Sequence, residues 1–141
     1  MHITDEVVEA AVRRALDATF QTTREAWHLA TMSPRKGNLF AKVLLSCALA
    51  KADELGYFAA QDVRAALREI TGKQYEIASF SQHLSEFCEA KRGFILQRIS
   101  TKRKYRFRFA EPSMQPFVIL QGLKDGNLTK QLLDQIQELW D

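Results

Sequence analysis

Residues 104–109 read Lys-Tyr-Arg-Phe-Arg-Phe, so that cationic and aromatic side chains alternate along the chain. In a β-strand successive side chains point to opposite faces, whereas the faces of a helix repeat every three to four residues. The alternation therefore predicts a strand with a cationic face in solvent and an aromatic face on a core. Core packing is the simpler use of Tyr105, Phe107 and Phe109, and stacking on unpaired bases is the alternative.

A second strand is predicted just before this one, at residues 94–100, where Gly93 interrupts a helical pattern. The two strands then form an antiparallel hairpin with Thr101, Lys102 and Arg103 at its tip. These tip residues lack the glycine or asparagine that the tightest hairpin turns prefer, so the turn type stays open.

Helical periodicity begins at the N-terminus of the chain. Thr4 is predicted to cap a first helix, whose apolar positions at Val8, Val12 and Phe20 recur at helical spacing. After a polar stretch the apolar face resumes at Trp27. One long helix or two abutting helices would both fit this pattern.

Three further helices are predicted after a loop at residues 33–37. The first is capped by Asn38 and ends at Gly56, the second starts near Ala60 and is stopped by Gly72, and the third opens at Ser79. All three carry apolar residues at intervals of three and four, so each has one buried face.

Two more helices are predicted after Pro112, the first reaching Gly122 and the second carrying an apolar stripe. This stripe could pack on its own domain, pair with a second copy of the chain, or dock on another part of a larger protein. Its residues are Leu128, Leu132, Ile136, Leu139 and Trp140.

Three helices followed at once by a two-stranded hairpin are the order of elements in a winged helix-turn-helix. The predicted fold class is mainly α with a small β-hairpin, a winged helix-turn-helix with N-terminal and C-terminal helical extensions. Residues 1–32 form the N-terminal helical segment, residues 33–111 the winged-helix domain, and residues 112–141 the C-terminal helical extension. A chain of 141 residues is expected to have one core.

Basic residues are concentrated around the hairpin. Of the 20 lysines and arginines, eight lie between residues 91 and 108, where there is no acidic residue, which leaves 12 basic against 17 acidic residues elsewhere. A cationic patch on an otherwise acidic body predicts binding to the phosphates of a nucleic acid. The alternative is a solvated edge strand, in which charge only blocks aggregation.

Duplex DNA is therefore the predicted partner, held mainly through its backbone and with limited sequence specificity. In a winged helix the third helix faces the major groove and the hairpin reaches the adjacent backbone. Gln82 can pair with an adenine edge, whereas Glu86 and Glu89 would repel phosphates. The candidate contacts are Ser81, Gln82, Ser85, Lys91, Arg92, Arg98, Lys102, Arg103, Lys104, Arg106 and Arg108.

The sequence lacks signals of catalysis, cofactor binding and membrane insertion. Gly72 and Lys73 lack the flanking residues of a phosphate-binding loop, and no carboxylate pair or Ser-His-Asp set stands out. The histidines and cysteines are not at metal-ligand spacing, and Cys47 and Cys88 suit a reducing compartment. No apolar run approaches the roughly 18 residues of a membrane span. We expect a cytoplasmic binding module, not an enzyme, with no cofactor in this chain.

Three segments carry a family resemblance. Residues 3–10 read Ile-Thr-Asp-Glu-Val-Val-Glu-Ala, residues 44–50 read Leu-Leu-Ser-Cys-Ala-Leu-Ala, and residues 79–89 form a short amphipathic helix. The stretch from 3 to about 109 resembles the C-terminal part of AAA+ ATPases of the origin-recognition (Orc/Cdc-like) type, in which a lid helix precedes a winged helix. The resemblance implies a C-terminal fragment of such an ATPase, with the ATPase core outside this chain and the last helix able to dock on it.

Three features depart from the pattern of that family. The hairpin tip lacks a glycine-arginine turn, the helix at residues 79–89 is acidic toward its end, and residues 114–141 extend past the usual terminus. An origin-binding role is therefore one option, and a related bacterial ATPase in a mobile element or a defence system is another. Winged helices also serve as docking domains, so a protein-interaction or oligomerisation module is the alternative function.

Overall fold

A computed structural model describes residues 4–33, 39–101 and 104–140. Within these residues it contains six α-helices, a short 3-10 helix and one two-stranded antiparallel sheet, which confirms the mainly helical class with a small β-hairpin. The elements in chain order are α1 (Asp5–Thr31), α2 (Phe40–Leu49), α3 (Ala60–Thr71), α4 (Ile77–Phe87), the 3-10 helix Ala90–Arg92, β1 (Leu96–Thr101), β2 (Lys104–Phe109), α5 (Met114–Asp125) and α6 (Lys130–Trp140).

Helix α1 is one continuous helix of 27 residues. Thr4 caps it as predicted, because its side-chain oxygen accepts a hydrogen bond from the Val7 N–H at 3.3 Å. In the last turns Ala30 is fully buried against the core, whereas the first half of the helix is exposed. The Asn38 cap and most of the loop predicted at residues 33–37 lie outside the described residues.

Eight of the ten residues of α2 are buried, and the helix ends at Leu49, well before Gly56. The chain leaves the helix because Asp53 organises a turn, in which its carboxylate accepts hydrogen bonds from the N–H groups of Leu55 and Tyr57, each at 2.9 Å. An aspartate that binds nearby backbone groups in this way competes with helix continuation. The prediction that this helix reaches Gly56 was wrong.

Helices α3 and α4 form two further walls of the core. Gly72 ends α3 in the left-handed conformation, with φ at 70°, where glycine meets no steric penalty. Helix α4 begins at Ile77 and not at Ser79, because the Ser79 N–H already donates to the Glu76 carbonyl at 2.9 Å. The buried side chains of α4 are Phe80, Leu84 and Phe87.

Strands β1 and β2 pair in an antiparallel register that sets Leu96 opposite Phe109. Strand β2 has the predicted bounds, whereas β1 begins at Leu96 and not at Phe94. Phe94 has a positive φ of 52°, a conformation outside the β region that ends the strand on this side. The prediction that Thr101 belongs to the tip was wrong, because Thr101 is the last residue of β1 and pairs with Lys104. The other two predicted tip residues, Lys102 and Arg103, lie outside the described residues.

The segment between α2 and α3 pairs with β2 at a single residue, on the edge of β2 that faces away from β1. Phe58 forms an antiparallel bridge with Phe107, in which each N–H donates to the other residue's carbonyl at 2.8 and 2.9 Å. The two phenyl rings are stacked with their centroids 6.3 Å apart. The bridge therefore fixes β2, and with it the hairpin, to the helical core.

Helices α5 and α6 share one core with α2, α3 and α4. Val118, Leu128 and Ile136 are each at most 2% exposed. Helix α5 runs through Gly122, its predicted end, and stops only at Asp125. Gly122 serves close packing, because a Cβ at this position would lie 2.8 Å from the Leu45 side chain.

The C-terminal helices also bind the last carbonyls of α2. Gln115 Nε2 donates to the Ala48 carbonyl at 2.9 Å, and Trp140 Nε1 donates to the Leu49 carbonyl at 2.7 Å. The apolar stripe predicted for the last helix thus packs on the chain's own core. Within the stripe, Leu139 is the member that stays largely exposed, at 57%.

Candidate nucleic-acid interface

Helix α4 presents the three polar residues that the sequence proposes for base and phosphate contacts. Its apolar side is fixed in the core, which turns the opposite side outward. Ser81 and Gln82 are exposed, and Ser85 is half-buried. The exposed side of α4 therefore offers hydroxyl and amide groups but no cation of its own.

The register of the hairpin separates its side chains into two faces. Residues opposite each other in an antiparallel pair lie on the same face, and adjacent residues lie on opposite faces. The core face carries Leu96, Phe107 and Phe109, all buried, together with Arg98, Ser100 and Tyr105 nearer the tip. The outer face carries Gln97, Ile99, Thr101, Lys104, Arg106 and Arg108.

Tyr105 is 56% exposed, so the prediction that all three aromatic residues of β2 pack in the core was wrong for this one. Its side chain follows the alternation, but the core face of the hairpin is exposed toward the tip, at Ser100 as well as at Tyr105. Arg98 lies on the same face, with its guanidinium carbon 4.6 Å from the Tyr105 ring centroid. The core face thus ends in an exposed cation–aromatic pair.

Two arginines of the outer face are held by the turn that follows α2. Arg106 lies 4.0 Å from the Asp53 carboxylate, and the Arg108 guanidinium lies 4.6 Å from the Tyr57 ring centroid. Arg108 also donates to the Gln97 side-chain oxygen at 3.0 Å. Both side chains are therefore oriented, and the exposed pair of Arg106 with Asp53 is weak enough to yield to a phosphate.

The two basic residues that follow α4 are engaged with acidic neighbours. Lys91 Nζ lies 3.0 Å from Glu86 and 3.6 Å from Glu89, and its hydrogen bond to Glu86 raises the pKa of the Lys91 amine above its ordinary value. Arg92 pairs with Glu86 at 3.7 Å and lies 3.9 Å from the Phe40 ring centroid. These contacts neutralise Glu86, the carboxylate expected to repel phosphates, and they bury most of Arg92.

A groove of about 430 Å³ brings α4 and the hairpin together. Ser81 and Ser85 line it from α4, and Lys104 and Tyr105 line it from β2. The first turn of α3 contributes Gln61, which no sequence signal singled out. Of the proposed contacts, Ser81, Ser85 and Lys104 therefore share one site, whereas Arg106 and Arg108, on the outer face together with Lys104, do not line the groove.

Cys47 and Cys88 are free, and burial raises the pKa of both thiols. Among residues 4–33, 39–101 and 104–140 there is no group of three or more His, Cys, Asp or Glu side chains that could hold a metal ion. None of the described helices combines the length and apolar character needed to cross a bilayer.

The candidate interface therefore consists of the groove, the Arg98–Tyr105 pair at its edge and the oriented arginines of the outer face. Lys102 and Arg103, the remaining proposed contacts, lie outside the described residues. No family model, curated protein or solved structure matches the chain.

Proposed function

We propose that the chain is a duplex DNA-binding module of the winged helix-turn-helix type, with limited sequence specificity. The observation that carries the proposal is that Ser81 and Ser85 of α4 line one groove with Lys104 and Tyr105 of the hairpin. A helix and an adjoining basic hairpin are the two parts with which winged helices contact a duplex. Following the sequence resemblance, we assign the module to the C-terminal end of a larger AAA+ ATPase.

The order of elements supports the winged-helix part of the proposal. Helices α2, α3 and α4 precede the hairpin directly, and the Phe58 bridge ties the segment between the first two of them to β2. This bridge gives the hairpin a fixed origin beside α4. A nucleic acid lying along α4 would then meet the hairpin next.

Limited specificity follows from the side chains that α4 exposes. Gln82 is the α4 residue suited to bidentate pairing with an adenine, and serines contact either bases or phosphates. The cations lie on the hairpin, where they neutralise phosphates without reading sequence. Most of the affinity is therefore assigned to the backbone of the duplex.

The proposal is tested by fluorescence anisotropy with a labelled duplex of about 20 base pairs and arbitrary sequence. Arg98→Ala combined with Lys104→Ala removes two exposed cations beside the groove. Each lost phosphate contact is expected to weaken binding by about eightfold at 0.1 M salt, and both together by about sixtyfold.

The matched control removes the same charge elsewhere, by Lys124→Ala combined with Lys130→Ala on the exposed surface of α5 and α6. This control is expected to bind within about twofold of the original chain, because neither lysine lies on the hairpin or lines the groove. Equal losses of affinity in the two double variants would mean that binding depends only on the net charge of the chain. This result would contradict the assignment of the phosphate contacts to the hairpin.

A second candidate function, association with another copy of the chain, is favoured by α1. The face of α1 that is buried at Ala30 continues toward the N-terminus at helical spacing as Val8, Val12 and Phe20. These three side chains are 49%, 53% and 48% exposed. An isolated helix with such a face is marginal in water, so a partner that covers it would stabilise it.

An antiparallel pair of α1 helices fits this face. Val8 and Phe20 lie at equal distances from residue 14, so a two-fold axis near that residue sets Val8 of one copy against Phe20 of the other. The same arrangement brings the acidic first turn, which contains Asp5, close to Arg24 of the partner copy. The same two-fold axis therefore places apolar side chains against apolar side chains and the acidic first turn near a basic side chain.

Sedimentation velocity across a concentration series tests this association. Val12→Glu places a charge on the exposed stripe and is expected to shift a dimer to monomer, whereas Ala10→Glu places it on the opposite side of the helix and should leave the dimer intact. A monomer at all concentrations in the unmodified chain would rule out pairing through α1.

A further inference from the structure

The groove between α4 and the hairpin has a composition that phosphate binding alone does not require. Much of its wall is apolar and is formed by Ala60, Ile77, Leu84 and Phe107. Its volume of about 430 Å³ lies within the range of about 300–1,000 Å³ that is typical of pockets for small organic groups. A flat apolar group with polar edges would match such a wall.

Tyr105 is the aromatic side chain of this groove that the core leaves exposed. Phe107 and Phe109 on the same strand are 5% and 8% exposed, against 56% for Tyr105. Arg98 lies over the Tyr105 ring, yet Arg98 does not line the groove, whereas Tyr105 does. A cation therefore covers one face of the ring, and the exposed ring also forms part of the groove wall.

We propose that the groove binds an unpaired nucleobase, which stacks on Tyr105, and this inference rests on the nucleic-acid-binding function proposed above. Bases stack on aromatic side chains whatever their identity, with a contribution of about 1–3 kcal/mol per base. The ligand class of the site is thus a duplex with an extruded or single-stranded nucleotide.

The polar groups of the groove suit the edges and the backbone of such a nucleotide. The Ser81 and Ser85 hydroxyls and the Gln61 amide both donate and accept hydrogen bonds, so they can adapt to different bases. Lys104 at the groove and Arg98 behind the ring provide charge for the flanking phosphates. This charge complementarity favours a nucleotide over an apolar peptide as the occupant.

The test compares two labelled duplexes of about 20 base pairs, identical except that one carries a single unpaired adenine. The chain is expected to bind the bulged duplex about tenfold more tightly than the paired one, the gain from one stacked base less the cost of extruding it. Tyr105→Ala should remove this preference, because it should weaken binding to the bulged duplex about tenfold more than binding to the paired duplex. Tyr105→Phe keeps the ring and should keep the preference.

The outcomes separate the two proposals. Equal binding of both duplexes by the unmodified chain would overturn the nucleobase site and leave duplex binding in place, whereas binding to neither would overturn both. A preference that persists in Tyr105→Ala would also refute stacking on this ring. If an apolar peptide bound the groove in a Tyr105-dependent manner without any preference for the bulge, the site would belong to a protein partner and the inference would be wrong.

Discussion

Arg92 joins three elements at the base of the candidate interface. Its guanidinium stacks on Phe40 at the start of α2, pairs with Glu86 of α4 and donates a hydrogen bond to the Met32 carbonyl after α1. The side chain is only 14% exposed. A cation with this set of partners serves the fold first, whatever it adds to the local positive potential.

Arg92→Ala is expected to lower the free energy of unfolding by about 2 kcal/mol, since it removes a cation–aromatic contact and a charged hydrogen bond. Arg92→Lys keeps the charge but loses the planar stack and should recover only part of this stability. Urea unfolding followed by circular dichroism measures both values. A change below about 0.5 kcal/mol in Arg92→Ala would show that the three contacts contribute nothing.

His83 lies on α4 with its ring 4.5 Å from the Phe40 ring, and its buried Nδ1 makes no hydrogen bond of good geometry within the part of the chain that the structure describes. Burial lowers the pKa of this imidazole below its ordinary value of 6.5, with Glu86 opposing the shift and Arg92 adding to it. The unfolded chain therefore takes up the proton at a higher pH than the folded chain does. The stability that depends on a neutral His83 is fully present above about pH 6.5, and it is lost progressively as the pH falls below that value.

This linkage predicts that the free energy of unfolding decreases between pH 7.5 and 5.5, a range in which carboxylates do not yet titrate. His83→Gln removes the ionisable group and should flatten the curve, so the difference in stability between the two chains changes with pH. Denaturation at five or six pH values measures it. A constant difference over this range would mean that His83 titrates alike in both states.

Single residues also mark the limit of sequence reasoning. The alternation in β2 correctly predicts which side chains share a face, because that depends only on the period of a strand. The alternation does not predict how far the core extends under the hairpin. The exposure of Tyr105 was missed for this reason. The partners of Arg98, Arg106 and Arg108 depend on register and on the turn at Asp53, both of which are non-local.

At the scale of elements, the end of α2 depends on helices far away in sequence. The last carbonyls of a helix have no partner within it. In α2 the carbonyls of Ala48 and Leu49 accept hydrogen bonds from Gln115 and Trp140. Helices α5 and α6 therefore complete α2, and both belong to the same core as α2.

Trp140→Phe keeps most of the apolar contact but removes the indole N–H, which leaves the Leu49 carbonyl without this donor. The expected loss is about 1–2 kcal/mol in the free energy of unfolding. Leu139→Ala, at an exposed position on the same helix, serves as the control and should change stability by less than about 0.5 kcal/mol. Equal effects of the two substitutions would contradict the proposed role of the indole.

The boundaries of the elements were predictable where the signal is local. The Thr4 cap, the Gly72 stop and the bounds of β2 each follow from a few neighbouring residues. Boundaries set by tertiary contacts were missed. Helix α5 passes through Gly122 because that glycine packs on Leu45, and the contact between these two helices is not visible in either segment alone.

At the scale of the whole molecule, the cations of the hairpin differ from those that follow α4 in how many of them are paired with acidic side chains. The described cations of the hairpin are Arg98, Lys104, Arg106 and Arg108, and of these only Arg106 faces a carboxylate within 4.0 Å. Lys91 and Arg92, by contrast, are paired with acids. The available positive charge is therefore concentrated on the hairpin and not at the end of α4.

The most direct measurement of the central claim is the salt dependence of duplex binding. If about four hairpin cations contact phosphates, the plot of log Kobs against log salt concentration has a slope of about −3.6. Arg106→Ala should reduce the magnitude of this slope by about 0.9, while Lys124→Ala should leave it unchanged. Binding that does not vary with salt, or a slope that Arg106→Ala does not alter, would contradict a nucleic-acid interface built on the hairpin.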